Sequence, residues 1–347
     1  MENLPEEVIL EIHLRLPIKS LLRFRCVSKP WLSLISSPHF VDLHFQHSSL
    51  HTHRIFYFYS SETLFQISIS RSQCIMGYCR GFLFLELDSD SQLVIWNPST
   101  RVCKNIPPIP SQLSAFLYGF GYDSFTDDYL IVLALYNSNS SSVSGTEIHI
   151  FSVRTNSWKQ LEGCFTFISP IDRPDPSTGS VAGSTLNGAI HWLALCAEAG
   201  QASSHAAIIS LDLTEKSLRE FVPLPGDFNY ETCELKELGG CLSLIGTNNS
   251  NQIEIWMMRE YGVESSWSMH MCLSLADELL AYYISPICFT KDGQVVAVCG
   301  TSLMKLDEKG EVAECSGHDL DGFDADGVVY AESLFCLRCG QEQSLEH

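Results

Sequence analysis

An apolar strand led by glycine recurs along most of the chain, and its spacing constrains the fold more than any other feature. Gly81, Gly188, Gly240 and Gly293 each open a run of β-branched or aromatic residues. The last two steps are 52 and 53 residues, and the first, 107, holds two such steps with the apolar run Tyr129–Leu135 at its midpoint. A second run follows each time: Val94–Trp96, Ile148–Phe151, Ser210–Asp212, Ile253–Trp256 and Met304–Leu306. A turn and a further apolar or Trp-containing run often come next, as at Asn97–Ile106, Arg154–Leu161, Thr214–Val222 and Arg259–Met271. Short strands at regular spacing, with about four per unit, read as the blades of a β-propeller. At this period the 300 residues from 48 to 347 give six blades as the expected number. Five to eight blades, or an irregular β-sandwich, are the alternatives. Five units are visible. The sixth is expected to be composite, with Arg54–Tyr59 and Thr63–Ile69 joined by Val328–Leu337, which would close the ring and remove free edges.

Residues 1–47 follow a different pattern, and they are expected to form a separate small all-α domain ahead of the mainly β domain 48–347. Pro5 suits a first helical turn, and Glu6 and Glu7 complement the positive end of a helix dipole. The first helix is expected over Pro5–Leu16, stopped by Pro17, and a second over Ile18–Cys26. Ser28 is the expected N-cap of a third, Lys29–Ile35, with Pro30 tolerated in its first turn. Ser36-Ser37-Pro38 is read as its end. The first helix is apolar over most of its circumference, so it must be covered on two sides. A module this small barely encloses a core of its own. Its surplus apolar surface therefore covers the β domain as a cap or meets a separate partner.

Charge and composition exclude several classes. Apolar residues make up 45% and charged residues 18%, which describes a folding chain. No apolar run reaches the length of a membrane span, so no membrane role is expected. Glu6, Glu7 and Glu11 argue against a secretion signal, and the fourteen cysteines read as reduced intracellular thiols acting as small buried hydrophobes. Net charge is −20, all of it beyond residue 47, where nucleic-acid binding is disfavoured. That acidity suits either a basic protein target or simple solubility.

Chemical motifs are sparse. His39, His44, His47, His51 and His53 cluster without a matching set of ligands and read as a solvated linker. Cys336 and Cys339 form one CxxC, for which Cys74 and Cys79 are the only loose complement. Asp319, Asp321, Asp324 and Asp326 lack the spacing of a calcium loop. No GxSxG, phosphate loop or HExxH is present. No cofactor or metal is expected, although a propeller can assemble an active site from distant loops. The loops Tyr136–Thr146, Ile168–Gly183 and Ala197–Ala206 are candidates for recognition.

Two stretches carry a family resemblance. Leu4-Pro5-Glu6-Glu7-Val8-Ile9-Leu10-Glu11-Ile12, with Leu14 through Trp31 after it, resembles an F-box over about 40 ungapped residues. Leu34 through Phe40 resembles the usual exit from that motif in plant members. Gly77-Tyr78-Cys79-Arg80-Gly81, Trp96-Asn97-Pro98-Ser99-Thr100, Gly119-Phe120-Gly121-Tyr122-Asp123 and Val329 through Leu334 are similar to the kelch-like F-box-associated domain of plant F-box proteins. The resemblance implies a three-helix F-box, then a propeller, in a non-catalytic substrate receptor of an SCF-type cullin-RING ubiquitin ligase. It implies docking on the Skp adaptor, and through it on cullin and RING subunits, while the propeller holds a protein substrate. It also implies a cytoplasmic or nuclear location. The expected adaptor-binding residues are Leu4, Pro5, Val8, Ile9, Ile12, Leu16, Pro17, Leu21, Leu22 and Val27, some of which must instead hold the helices together. Trp31 is expected to be an internal anchor. The substrate-binding residues are not identifiable. The alternative is a propeller enzyme or ligand-binding protein whose N-terminal helices are only a cap.

Overall fold

A computed structural model describes residues 5–49, 53–59, 73–87, 92–111, 114–136, 146–165, 167–170, 181–197, 204–225, 233–248, 250, 252–273, 284–299, 302–307, 309–316 and 325–337. Four helices open the chain: α1 (Glu6–Leu14), α2 (Ile18–Phe24), α3 (Lys29–Ile35) and α4 (Pro38–Ser49). The first three lie where the prolines and caps place them, and the Ser28 hydroxyl accepts from the Trp31 N–H at 3.4 Å. α4 corrects the reading of the histidine-rich stretch as a solvated linker. Its start was written in the sequence. Ser37 precedes Pro38, its hydroxyl accepts from the Phe40 N–H at 3.2 Å, and proline fits a first helical position.

Strands follow, numbered in chain order. β1 is His53–Tyr59. The first blade is β2 (Gln73–Cys79), β3 (Phe82–Leu87), β4 (Gln92–Trp96) and β5 (Cys103–Asn105). The second is β6 (Ser114–Asp123), β7 (Asp128–Tyr136), β8 (Thr146–Ser152) and β9 (Ser157–Phe165), with the short β11 (Val181–Ala182) parallel to β6. The third gathers β10 (Phe167–Pro170), β12 (Ser184–Leu186), β13 (Ala189–Ala197), β14 (Ser204–Asp212) and β15 (Leu218–Glu220). The fourth is β16 (Cys233–Leu238), β17 (Cys241–Thr247), β18 (Ile253–Met258) and β19 (Trp267–Leu273). The fifth is β20 (Ile284–Phe289), β21 (Val295–Cys299), β22 (Ser302–Leu306) and β23 (Val312–Ser316), and β24 (Ala325–Ala331) comes last.

The expected six blades are corrected to five. β24 pairs antiparallel with β1, from His53 opposite Ala331 to Tyr59 opposite Ala325. This two-stranded sheet joins the two ends of the β region. β24 packs against β20 and β21 on one side and β2 on the other, so it sits between the fifth and first blades. Dividing length by period counted the residues of this closure, and the longer third unit, as a whole blade. The expected strand Thr63–Ile69 lies outside the described residues.

The repeating glycines mark the turn between the first two strands of a blade. Arg80 and Gly81 (φ 48° and 83°), Asn187 and Gly188 (49° and 76°), and Gly239 and Gly240 (59° and 82°) are two-residue turns with both φ positive. Such turns match the twist of a hairpin. The second blade uses an aspartate instead. Asp123 accepts from the N–H groups of Phe125 and Thr126 at 3.0 and 3.4 Å, so its hairpin carries no glycine signal.

Core residues lie between blades, which explains the near-continuous apolar runs. Phe82, Phe84 and Ile95 of the first blade meet Phe120, Ile131 and Phe151 of the second. Leu117 and Val132 meet Ile190 and Trp192; Leu193 and Ile208 meet Leu235 and Leu244; Ile255 and Met257 meet Ile284 and Ala297. A strand buried on both faces loses the alternation of a half-exposed one. Each large side chain so covered contributes about 1.5–3 kcal/mol.

Candidate functional site

The helical module divides its apolar residues between an interior and a free surface. Ile18, Leu21, Ile35, Phe40 and Val41 are buried together, with Leu10, Leu14, Leu16, Leu22, Phe24, Trp31 and Leu34 packed around them. Trp31 is an anchor within this interior, meeting the His13 ring edge-on at 4.8 Å and Phe24 at 5.1 Å. The His13 Nδ1–H donates to the Ile9 carbonyl at 2.6 Å. Leu21, at 0% exposure, belongs to this interior and is not available to a partner. Ile9, Leu16 and Leu22 are half-buried, whereas Pro5 and Pro17 are exposed. Val8, Ile12 and Val27 are exposed at 42%, 47% and 62%. Leu4 lies outside the described residues. Leu32, absent from the expected set, is exposed at 46%. No local signal separates it from the interior, because it stands only three residues from the buried Ile35 on α3. Val8 and Ile12 are four residues apart and share one face of α1. Exposed apolar side chains from α1, α3 and the turn between α2 and α3 thus surround a module whose interior is already filled.

The family-like motifs of the β region meet at one place, the junction with the helices. Residues 332–337 leave β24 and cross the first blade. Asn97, fully buried, donates from Nδ2 to the Ser333 carbonyl at 3.2 Å, the Ser333 hydroxyl at 3.1 Å and the Phe335 carbonyl at 3.3 Å. Its Oδ1 accepts from the N–H groups of Ser99 and Thr100 at 2.9 and 3.2 Å. The Tyr78 hydroxyl accepts from the Ala331 N–H at 2.9 Å. Burial pushes that phenol, and the Cys79 thiol beside it, to about 12, so both remain protonated. Leu334 then completes the interior of the helical module, with Phe335 packed against it. Arg80 pairs with Asp42 of α4, and its guanidinium lies 4.1 Å from the Phe335 ring centre and 4.0 Å from that of Tyr122. Neither Arg80 nor Asn97 was singled out individually by the sequence. Both stand inside quoted motifs whose physical task appears only once the chain folds back on itself.

The propeller offers two further polar groupings. The His191 Nδ1–H donates to the Ser184 carbonyl at 3.1 Å, so the neutral ring accepts from the Tyr261 hydroxyl through Nε2 at 2.9 Å. Burial lowers the ring's pKa to about 4, which keeps this tautomer neutral. Asp123 is opposed by burial. Even so, the Lys216 ammonium at 2.9 Å, the Thr126 hydroxyl and the Phe125 N–H outweigh that effect and bring it down to about 2. Both groupings are internally satisfied. Among the described residues, no three His, Cys, Asp or Glu side chains come together as a metal site, and none of the eleven cysteines whose side chains are described forms a disulfide. His44, read as part of a solvated linker, is instead buried, with Nε2 2.9 Å from the Leu16 carbonyl. Cys339, the Cys74 side chain and Asp319, Asp321 and Asp324 lie outside the described residues. So does most of the three candidate recognition loops.

Comparison with known proteins agrees with this division. Residues 1–43 match the F-box domain, and residues 34–324 match the F-box associated beta propeller domain. An F-box/kelch-repeat protein of Arabidopsis thaliana is 30% identical over 330 residues, covering 85% of this chain and 84% of its own. The F-box protein CPR1 of the same plant is 27% identical over 334 residues, covering 85% and 79%. The helices with their free apolar surface and the five-bladed ring therefore have one family between them: the chain belongs to the F-box proteins that carry an F-box-associated β-propeller domain.

Proposed function

We propose that the chain is the substrate-recognition subunit of an SCF-type cullin-RING ubiquitin ligase, with a non-catalytic role in the cytoplasm or nucleus. The F-box docks on a Skp adaptor and through it on cullin and RING subunits, and the propeller holds a protein substrate for ubiquitination. One observation carries the reading. Val8, Ile12, Val27 and Leu32 stay exposed although the interior beneath them is closed by Leu21, Ile35 and Phe40. Scattered exposed apolar residues are ordinary, but several on one small module fit an interface. The cap alternative would place these side chains against the β domain, whereas the contacts to it described above run through α4 and through Leu334 and Phe335 at the module's interior.

Calorimetry with purified chain and a plant Skp adaptor tests the proposal. Submicromolar binding is expected. Val8→Asp/Ile12→Asp should weaken it at least about a hundredfold, or about 3 kcal/mol, with the unfolding temperature unchanged. A folded wild-type chain that binds no adaptor, or a variant that binds as well as wild type, would reject it.

A further inference from the structure

The two most exposed large apolar side chains among the described residues are Phe125, at 83%, and Val27, at 62%. They belong to different domains, yet both flank the junction between them. Val27 lies in the turn between α2 and α3, two residues after Arg25. Phe125 lies in the hairpin between β6 and β7, two residues before Asp127. Arg25 and Asp127 line the same cavity of ≈ 210 Å³ between the helices and the propeller, with Ser36 and Asp128. Two residues of chain reach no more than about 7 Å, and a docked protein covers a patch roughly 30 Å across. One partner therefore has room to cover both side chains.

The hairpin fixes the backbone that carries Phe125. Asp123, only 1% exposed, accepts from the Phe125 N–H at 3.0 Å and from the Thr126 hydroxyl at 2.7 Å. The third blade grips the same carboxylate through the Lys216 ammonium at 2.9 Å and the Thr214 hydroxyl at 3.2 Å. At the other end of the turn the Tyr122 hydroxyl donates to Asp127 at 2.7 Å. The chain on both sides of Phe125 is thus set before any partner arrives, which lowers the ordering cost of binding. These bonds account for the turn but not for an aromatic ring in water, at a position where turn chemistry favours polar residues. Aromatic side chains, Phe included, are enriched at the cores of protein interfaces.

We propose that Phe125 is the propeller's contribution to the adaptor-docking surface, so that one adaptor covers Val27 of the F-box and the tip of the second blade's hairpin together. This rests on adaptor docking by the F-box and goes beyond it in making the surface composite. The adaptor then meets a patch that exists only where the helices and the propeller are seated on each other.

Calorimetry with the full chain and a plant Skp adaptor tests it. Phe125→Ser should weaken adaptor binding about tenfold, and Phe125→Leu, which keeps an apolar side chain, should recover most of that loss. Val312→Ser, at a 50% exposed position on the fifth blade, should bind as wild type does. All three should melt with wild type, since Asp123 and not the ring holds the hairpin. A Phe125→Ser chain that binds like wild type, while Val8→Asp/Ile12→Asp does not, would overturn the composite surface and leave F-box docking standing. A folded wild-type chain that binds no adaptor would remove both. Equal losses in Phe125→Ser and Val312→Ser, or an earlier-melting Phe125→Ser, would also overturn the proposal. Sedimentation tests the other occupant: a wild-type dimer that Phe125→Ser converts to monomer would assign the ring to a second copy of the chain instead.

Discussion

Single residues show how much of this fold follows from backbone geometry. Gly81 and Gly240 occupy equivalent turns at φ +83° and +82°, but their surroundings differ. A Cβ on Gly81 would stand 2.1 Å from the Ser333 hydroxyl oxygen, whereas one on Gly240 meets nothing within 4 Å. Gly240→Ala is therefore expected to cost about 1 kcal/mol of backbone strain. Gly81→Ala should cost clearly more, because residues 332–337 must also move. Chemical denaturation of the two variants checks the difference, and equal losses would mean the tail yields freely. His191 supplies a pH signature. Its folded pKa, lowered to about 4, means that the unfolded chain takes up a proton first as pH falls below 6.5. Stability from this group is complete above 6.5 and erodes down to about 4, by at most about 3 kcal/mol. His191→Asn should remove that part of the slope of urea midpoint against pH, and the wild-type ring should titrate near 4 by NMR. The glycine positions were legible because a period of identical residues survives any detail of packing. His191 was not, because only the fold brings Tyr261 to it.

Elements were legible where local chemistry decided them and less so where a boundary signal had two meanings. Every strand expected from a glycine-led run was found, since runs of β-branched residues between turns leave few other options. α1 to α3 were found from proline and serine. α4 was missed because Ser37-Pro38 ends one helix and starts the next, and the histidines after it were judged by polarity rather than by period. The expected adaptor set also mixed two populations. α2 directs Leu21 inward, whereas α1 leaves Val8 and Ile12 outside, and an apolar residue on a helix apolar nearly all round does not declare its side. Leu21→Ala should therefore cost about 2–5 kcal/mol of stability, as a deleted core side chain does. Ile12→Asp should leave thermal unfolding unchanged and reduce adaptor affinity alone. A loss of stability from Ile12→Asp as large as that from Leu21→Ala would show that α1 is covered from within.

At the scale of the molecule, two domains that read as separate in sequence share one interior. Nothing local marks Leu334 as a member of the F-box core. That role arises only because β24 closes the ring and Asn97 directs the following residues onto the helices. The blade count was overestimated for the same reason, since length alone does not distinguish a blade from a closure. One thermal transition is expected for the whole chain. Leu334→Ala and Arg80→Ala should each separate it into two, with the helical module melting first. Differential scanning calorimetry reads this directly, and a wild-type chain already showing two transitions would refute the coupling. The tail also imposes an order on biosynthesis. A ribosome adding roughly 5–20 residues per second releases α1 tens of seconds before Leu334 leaves the exit tunnel. Until then the F-box lacks part of its own floor. If the F-box docks as proposed, a nascent or truncated chain would thus present an unfinished docking module, and assembly would be reserved for chains whose propeller has already closed.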